Sequence, residues 1–261
     1  MKPSRSIGWV ATFWRETPSF GLYFVIYEAV LRQLTDPNSA VYSICGHSDH
    51  LNSGYFVQDC PSDTIWRKEF FPEYKEQRKT FYKSSKWQGG PVFKHVYQTL
   101  LPKLIKELSC HHYRIPTLEA DDVIYLLREK FAAESAEPET SAKSTTRNPQ
   151  WRYVIITNDH DYLQLLDADT ELINLQKKLL RTKSCGDPLI DLEKKIIGGD
   201  SSDNIPACFP RCGKKTLDKL ARDPKQLEQW FVKHSGSREK YLRNRRLIDF
   251  REIPEKYRSL L

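Results

Sequence analysis

The run "WRYVIITND" at residues 151 to 159 constrains the fold more than any other stretch. It is short and β-branched, and its apolar centre lacks the alternation of a half-solvated strand, so it suits burial on both faces. Strands of that kind belong to parallel sheets covered by helices. Strand-like and helix-like segments alternate around it. "SGYFVQD" reads as a strand ending at Asp59, and "FGLYFVIYEAVLRQL" (20 to 34) as a buried helix. "VFKHVYQTLLPKLIKEL" has helical periodicity, and "EADDVIYLLREKF" (119 to 131) reads as a helix with acids in its first turn. "AAESAEPETSAKSTTRNPQ" is poor in apolar residues and predicts a mobile surface loop over about 132–150. From about residue 189 the pattern turns helical and stays so. The alternation predicts an α/β fold with a mostly parallel sheet flanked by helices. No internal repeat is evident.

A chain of 261 residues is long enough to bury a sizeable core, and 39% apolar content supplies one. Lys and Arg number 41 against 34 Asp and Glu, a net charge of +7 that favours an anionic partner such as nucleic acid. No run approaches the roughly 18 apolar residues of a membrane span. The start, "MKPSRSIGWVATFWRE", lacks the small-residue cleavage site of a secretory signal. The six scattered cysteines read as reduced thiols, so the expected setting is intracellular and soluble. "CFPRC" (Cys208, Cys212) has the look of a zinc half-site, but no second half follows, and "CHH" at 110 to 112 has the same weakness.

In such sheets ligands sit at the carboxyl ends of strands, where Asp59 and Asp159 fall. Asp159 and Asp161 stand two apart just past a strand, so period-two geometry aims them the same way. Glu119 and Asp122 stand three apart in a helix's first turn and share a face, with Asp121 beside them. Asp200 and Asp203, in "GGDSSDNIP", repeat that spacing. Each cluster alone has a structural alternative, because acids in a first turn complement the helix dipole and Asp caps helices. Taken together they point elsewhere. Carboxylates brought close disfavour their own ionisation unless a cation compensates, and hard divalent ions with oxygen ligands do so. So many acids around one cleft imply two ions, the arrangement of in-line phosphodiester displacement.

"FFPEYKEQR", "EADD", "TNDHDYLQLL" and "GGDSSDNIP…GKKT" occur in the order, and at about the spacing, of the 5′-nuclease superfamily. That superfamily holds flap endonucleases and the 5′-nuclease domain of bacterial DNA polymerase I. "QDCPSDTIWRKEFFPEYKEQR" and "YLRNRRLIDFREIPEKY" resemble, in particular, the T-even phage ribonuclease H-like 5′ to 3′ exonucleases. The resemblance covers roughly residues 20 to 258. It implies a PIN-like catalytic domain over 1–188, with a helical arch at about 66–90, and a helical helix-hairpin-helix DNA-binding region over 189–261. Asp59, Glu119, Asp121 and Asp122 match the first-metal acids, Asp159 and Asp161 the central pair, and Asp200 and Asp203 the second-metal side. Lys75 matches the catalytic lysine at the base of the arch and Arg78 its basic neighbour.

Tyr74, Phe81, Tyr82 and Trp87 interleave with Lys79, Lys83 and Lys86, a mixture suited to stacking and backbone pairing on a single strand. The structural alternative assigns part of those aromatics to the core of the arch. In "NIPACFPRCGKKTLDKL" the resemblance makes Gly213, Lys214, Lys215 and Thr216 phosphate contacts, which position DNA without reading sequence. That hairpin departs from the family's "GVPGIGPKTA" pattern by one extra residue and keeps only its last glycine. The implied cofactor is Mg²⁺, two ions, with Mn²⁺ as a substitute. The implied partner is DNA with 5′ ends or flaps, or RNA–DNA hybrids, acted on by a monomer alongside replication proteins.

A larger departure lies at the start. The family's first strand ends in an aspartate, as in "LIDG", whereas residues 1 to 19 contain none, and Glu16 stands in a different context. "SIGWVATFW" has the composition of a strand fit for that slot but brings no carboxylate. A weakened or inactive branched-DNA-binding homologue therefore stands beside the nuclease reading, and so, on the shared acidic sheet, does a PIN-type ribonuclease, which has no need of the hairpin.

Overall fold

The computed structural model describes residues 7–12, 53–78, 90–108, 110–136, 152–174, 176 and 178–261. The expected helix at 20–34, Glu16, and the arch residues Lys79, Phe81, Tyr82, Lys83, Lys86 and Trp87 lie outside the described residues, as do residues 137–151.

Among the described residues, five parallel strands form the sheet: β1 (Ile7–Thr12), β2 (Ser53–Val57), β3 (His111–Tyr113), β4 (Arg152–Ile156) and β5 (Thr170–Ile173), in the order β3-β2-β1-β4-β5. "SIGWVATFW" does supply a strand, and that strand is central. β1 pairs with β2 from Gly8 opposite Ser53 to Thr12 opposite Val57, and with β4 from Ile7 opposite Arg152 to Ala11 opposite Ile156. Val154, Ile155 and Ile156 are buried, as the β-branched run requires of a strand covered on both faces.

Helix α1 (Gly90–His95) continues through a π-helical stretch, Val96–Leu100, into α2 (Leu101–Leu108). Helix α3 runs Ala120–Ala136 and so takes in the first residues of the segment read as a loop, because "AAESA" is built largely of strong helix formers. After the sheet come α4 (Pro188–Gly198), α5 (Lys214–Arg222), α6 (Pro224–Lys233), α7 (Ser237–Ile248) and α8 (Glu255–Arg258). Asp187 and Asp223 cap α4 and α6, each followed by the proline that suits a helix's first turn. Among the described residues no helix is long and apolar enough to cross a membrane.

The main core joins the sheet and α3 to the C-terminal segment: Tyr55, Val57, Trp66, Val123, Ile124, Leu127, Ile155 and Tyr162 pack with Phe250, Ile253 and Tyr257. A second cluster sets Ile65 and Tyr74 against Leu192, Ile196, Ile205, Leu247 and Ile248. A third holds Cys208 and Phe209 against Ile197, Leu220, Leu227 and Phe231. In "CFPRC", then, Cys208 is a core residue, with its thiol 3.4 Å from the Ile196 carbonyl oxygen.

Candidate active site

The carboxyl ends of β2 and β4 and the amino end of α3 meet at one edge of the sheet, where the acids gather. Asp159, following β4, caps a 3₁₀ turn (His160–Leu165) by accepting the Asp161 N–H at 2.9 Å, which turns both side chains toward the same opening. Gly199, after α4, has φ 69°, and an added Cβ would lie 2.4 Å from the Ile205 carbonyl oxygen, so only glycine fits there. The tight approach lets Asp200 and Ile205 exchange both backbone hydrogen bonds, at 2.8 and 2.7 Å, presenting Asp200 and Asp203 from a closed loop.

That loop is fastened to the segment carrying Lys75. The Lys75 N–H donates to the Asp203 carbonyl at 3.0 Å, Asn204 Nδ2 to the Glu73 carbonyl at 2.8 Å, and Gln77 Nε2 to the carbonyls of Ser201 and Ser202. Lys75 has φ 56°, a left-handed conformation rare for lysine, sustained by these surroundings. The conformation sends Nζ inward to Glu119 at 2.5 Å and to Asp203 at 3.4 Å.

A cleft of about 480 Å³ is lined by Lys75, Arg78, Asp121, Asn158, Asp159, His160, Asp161, Lys195, Asp200, Ser202 and Asp203. Seven of the residues singled out in the sequence meet there: Lys75, Arg78, Asp121, Asp159, Asp161, Asp200 and Asp203. Two groups have carboxylate oxygens within 4.8 Å of one another: Glu119, Asp121 and Asp122, and Asp161, Asp200 and Asp203. Oxygen-only donor sets of this kind fit hard divalent cations.

Arg67 and Lys195 carry no role in the sequence reading, yet they organise these two groups. Arg67 is buried and donates to Asp122 through both terminal nitrogens, at 2.7 and 2.8 Å, and to Glu119 at 3.0 Å. Trp66 Nε1 adds a bond to Asp122 at 2.9 Å. Lys195, in the last turn of α4, pairs with both Asp161 and Asp200. Its signal in sequence is slight, a lysine one turn ahead of "GGD". Arg67 in "TIWRKEFF" is flanked by aromatics, a setting in which a surface arginine would be out of place.

Other singled-out residues stand differently. Asp59 accepts the Ala120 N–H at 2.8 Å, so it also caps α3 from a distance in sequence. Asp122 is fully buried with its oxygens turned to Arg67 and Trp66, and Asp59, Glu119 and Asp122 are not among the residues lining the cleft. The Tyr74 hydroxyl is buried between Glu119 and Asp203, at 3.0 and 3.1 Å, which places it in the core of the site. Gly213, Lys214, Lys215 and Thr216 form the start of α5, outside the cleft lining.

The charges are unevenly balanced. Burial alone would drive Lys75 toward neutrality, but Glu119 and Asp203 hold its ammonium well above the ordinary lysine range. Glu119 is shifted the other way: Lys75 and Arg67 overcome the cost of burial and keep it ionised. Burial pushes Asp121 up, helped by the neighbouring charge of Asp122. Burial likewise raises Asp159, against the pull of Lys195. Asp200 is lowered to about 2, since Lys195 and Ser202 outweigh its burial.

A family model described as 5′-3′ exonuclease, N-terminal resolvase-like domain, matches residues 35–187, more than half of the sequence. The chain belongs to this 5′-3′ exonuclease family. Among its relatives, ribonuclease H of enterobacteria phage T4 is 27% identical over 232 residues, covering 81% of this chain and 65% of the phage protein. DNA polymerase I of Lactococcus lactis is 27% identical over 179 residues, or 64% of this chain and 18% of the polymerase. The chain thus spans less than two thirds of these relatives' length. A solved structure of T5 5′-exonuclease with bound divalent metal ions (zinc) superposes with a TM-score of 0.65 at 15% identity, covering 97% of this chain and 96% of that one. At that identity the match speaks for the fold, the α/β arrangement described above.

Proposed function

We propose that the chain is a structure-specific nuclease that hydrolyses phosphodiester bonds near 5′ ends or flaps of DNA, or of RNA–DNA hybrids, using two divalent cations, Mg²⁺ or Mn²⁺. The observation that carries this reading is the gathering of Asp121, Asp159, Asp161, Asp200 and Asp203 on one cleft beside Lys75 and Arg78, with Glu119 and Asp122 grouped behind Asp121. Asp121, Asp159, Asp161, Asp200 and Asp203 would hold the ions from the cleft walls, with Glu119, Asp122 and Asp59 behind them. The ions, when bound, supply an acidified water and neutralise charge on the phosphate oxygens.

This chain's own residues do the rest. Lys75 Nζ, kept protonated by Glu119 and Asp203, acts as a fixed charge rather than as a base, and stabilises charge developing on the phosphoryl group. The Arg78 guanidinium, anchored on Asp203 at the cleft wall, adds a second fixed positive charge beside the same oxygens. Lys79 and Lys83, which lie outside the described residues, would contact the 5′ strand. The turn between α4 and α5 serves as the duplex grip, with Gly213, Lys214, Lys215 and Thr216 on one strand's phosphates and the break between catalytic and DNA-binding parts near residue 188. Monomeric action beside replication proteins completes the reading.

The deciding experiment is cleavage of labelled flap, nicked and single-stranded substrates, with Mg²⁺ and with EDTA. Metal-dependent cutting at the 5′ end of the branched substrates is expected, and no cutting of any substrate would refute it. Replacing Lys214 and Lys215 with Ala should weaken duplex-bearing substrates and lower the salt slope of binding by about one per lost contact, measured by DNA titration across salt concentrations. A second reading, a branched-DNA-binding homologue with weakened catalysis, is favoured by one observation. The central strand β1 (Ile7–Thr12) carries no carboxylate. That reading expects tight flap binding in Ca²⁺ with cleavage that appears only at high Mg²⁺ or Mn²⁺.

A further inference from the structure

A helix leaves its last carbonyls without partners inside the helix, and something else must satisfy them. At the carboxyl end of α7 two consecutive carbonyls are taken by side chains from the two acid-bearing regions. The Leu247 carbonyl accepts Arg67 Nε at 2.7 Å, and the Ile248 carbonyl accepts Gln164 Nε2 at 3.2 Å. Arg67 is the guanidinium that grips Glu119 and Asp122. Gln164 lies in the 3₁₀ turn of Asp161, donates to the Asp161 carbonyl at 2.9 Å, and through Oε1 accepts the Phe250 N–H at 3.1 Å. Arg67 thus ties two carboxylates of the first group, and Gln164 the backbone of Asp161 in the second, to the same helix end. The negative end of the helix dipole also faces the Arg67 cation, which favours the contact. Asp249, buried at the next position, closes the turn by accepting from Arg251.

We propose that the carboxyl end of α7 is a common brace for both acid groups, and that Arg67 and Gln164 are positioning residues fixing the two groups relative to one another. The inference rests on the two-ion reading above and concerns how that site is held. Neither residue touches a reacting atom. Arg67 spans three acceptors with a rigid planar fork, which lysine cannot reproduce. Gln164 uses donor and acceptor together, so methionine, of similar length, keeps the packing and removes both ties.

The test is Mn²⁺ titration of the full chain, followed by electron paramagnetic resonance, for the parent, Arg67→Lys, Gln164→Met and the double variant. Thermal melting of each without metal serves as the folding control. Residues that orient metal ligands typically change metal affinity by about 10- to 100-fold, so each single variant should weaken Mn²⁺ by about tenfold. With a common brace the double variant should lose clearly less than the product of the two losses, since one cut already frees the helix end. Multiplying losses, or none, would overturn the brace while leaving the two-ion reading intact. A parent that takes up fewer than two ions would sink that reading whatever the variants do. Should Arg67→Lys fail to fold, Gln164→Met decides alone through the Mn²⁺–Mn²⁺ dipolar coupling. A broadened distribution of couplings is expected, and an unchanged one overturns the proposal.

Discussion

The two acid groups differ in how they are neutralised. Glu119 and Asp122 are buried, and their charges are balanced by the equally buried Arg67, with Lys75 reaching in from the other side. Asp161 and Asp200 are more open and share one half-buried lysine, Lys195, while Asp203 faces Arg78 and Lys75. The first group is a permanent part of the core, because a guanidinium with no route to solvent cannot leave it. In the second, Asp161 and Asp200 are balanced by a lysine with a route to solvent. An ion entering the second group needs only to displace an ammonium, whereas one entering the first must bind on the side that Arg67 does not occupy, toward Asp121.

Breaking the central pair that lines the cleft should have the largest effect. Asp159→Asn with Asp161→Asn should reduce cleavage to background while flap binding in Ca²⁺ persists, read by a nuclease assay beside a binding titration. Next comes stability. Arg67→Leu strips the buried Asp122 of its cation and leaves Glu119 to Lys75, and should cost about 3–5 kcal/mol, whereas Lys195→Met should cost no more than about 1 kcal/mol, both by denaturant unfolding without metal. Equal losses would erase the distinction between the groups. Lys75, which joins them, should matter for chemistry more than for binding: Lys75→Ala should slow single turnover by about 10²-fold with little change in affinity. The smallest effect expected is that of pH. Asp121 and Asp159 hold protons to higher pH than ordinary aspartates, so an ion must displace protons to bind them. Divalent affinity should therefore fall as pH drops from neutrality toward their raised values, measured by titration at several pH values. Affinity independent of pH would mean that neither aspartate is a ligand.

The sheet was legible because "WRYVIITND" and "SGYFVQD" are apolar where a buried strand must be, and the acids were legible because they follow such strands. Tyr74, grouped in the sequence with exposed stacking aromatics, turned out to be buried, since only the fold reveals that its hydroxyl has two carboxylates to meet. Arg67 and Lys195 escaped for a related reason. A cation's local sequence does not show which acid it will face when that acid lies dozens of residues away, and "EKK" on a helix reads as a solvated surface. The tie from Asp59 to the Ala120 N–H was hidden in the same way, because caps are read from neighbours and this one comes from another strand.

The place of β1 in the sheet has a consequence for synthesis. Its partner on one side, β2, follows soon after, but its other partner, β4, is made only after α3 and the segment beyond it. Until then the β1–β2 pair shows an unsatisfied edge at what will become the centre of the molecule. At ribosomal speeds of about 5–20 residues per second, that edge stays open for on the order of ten seconds. An edge open for so long is a template for the strands of other nascent chains, and this protein should depend on chaperones that shield such edges until β4 emerges.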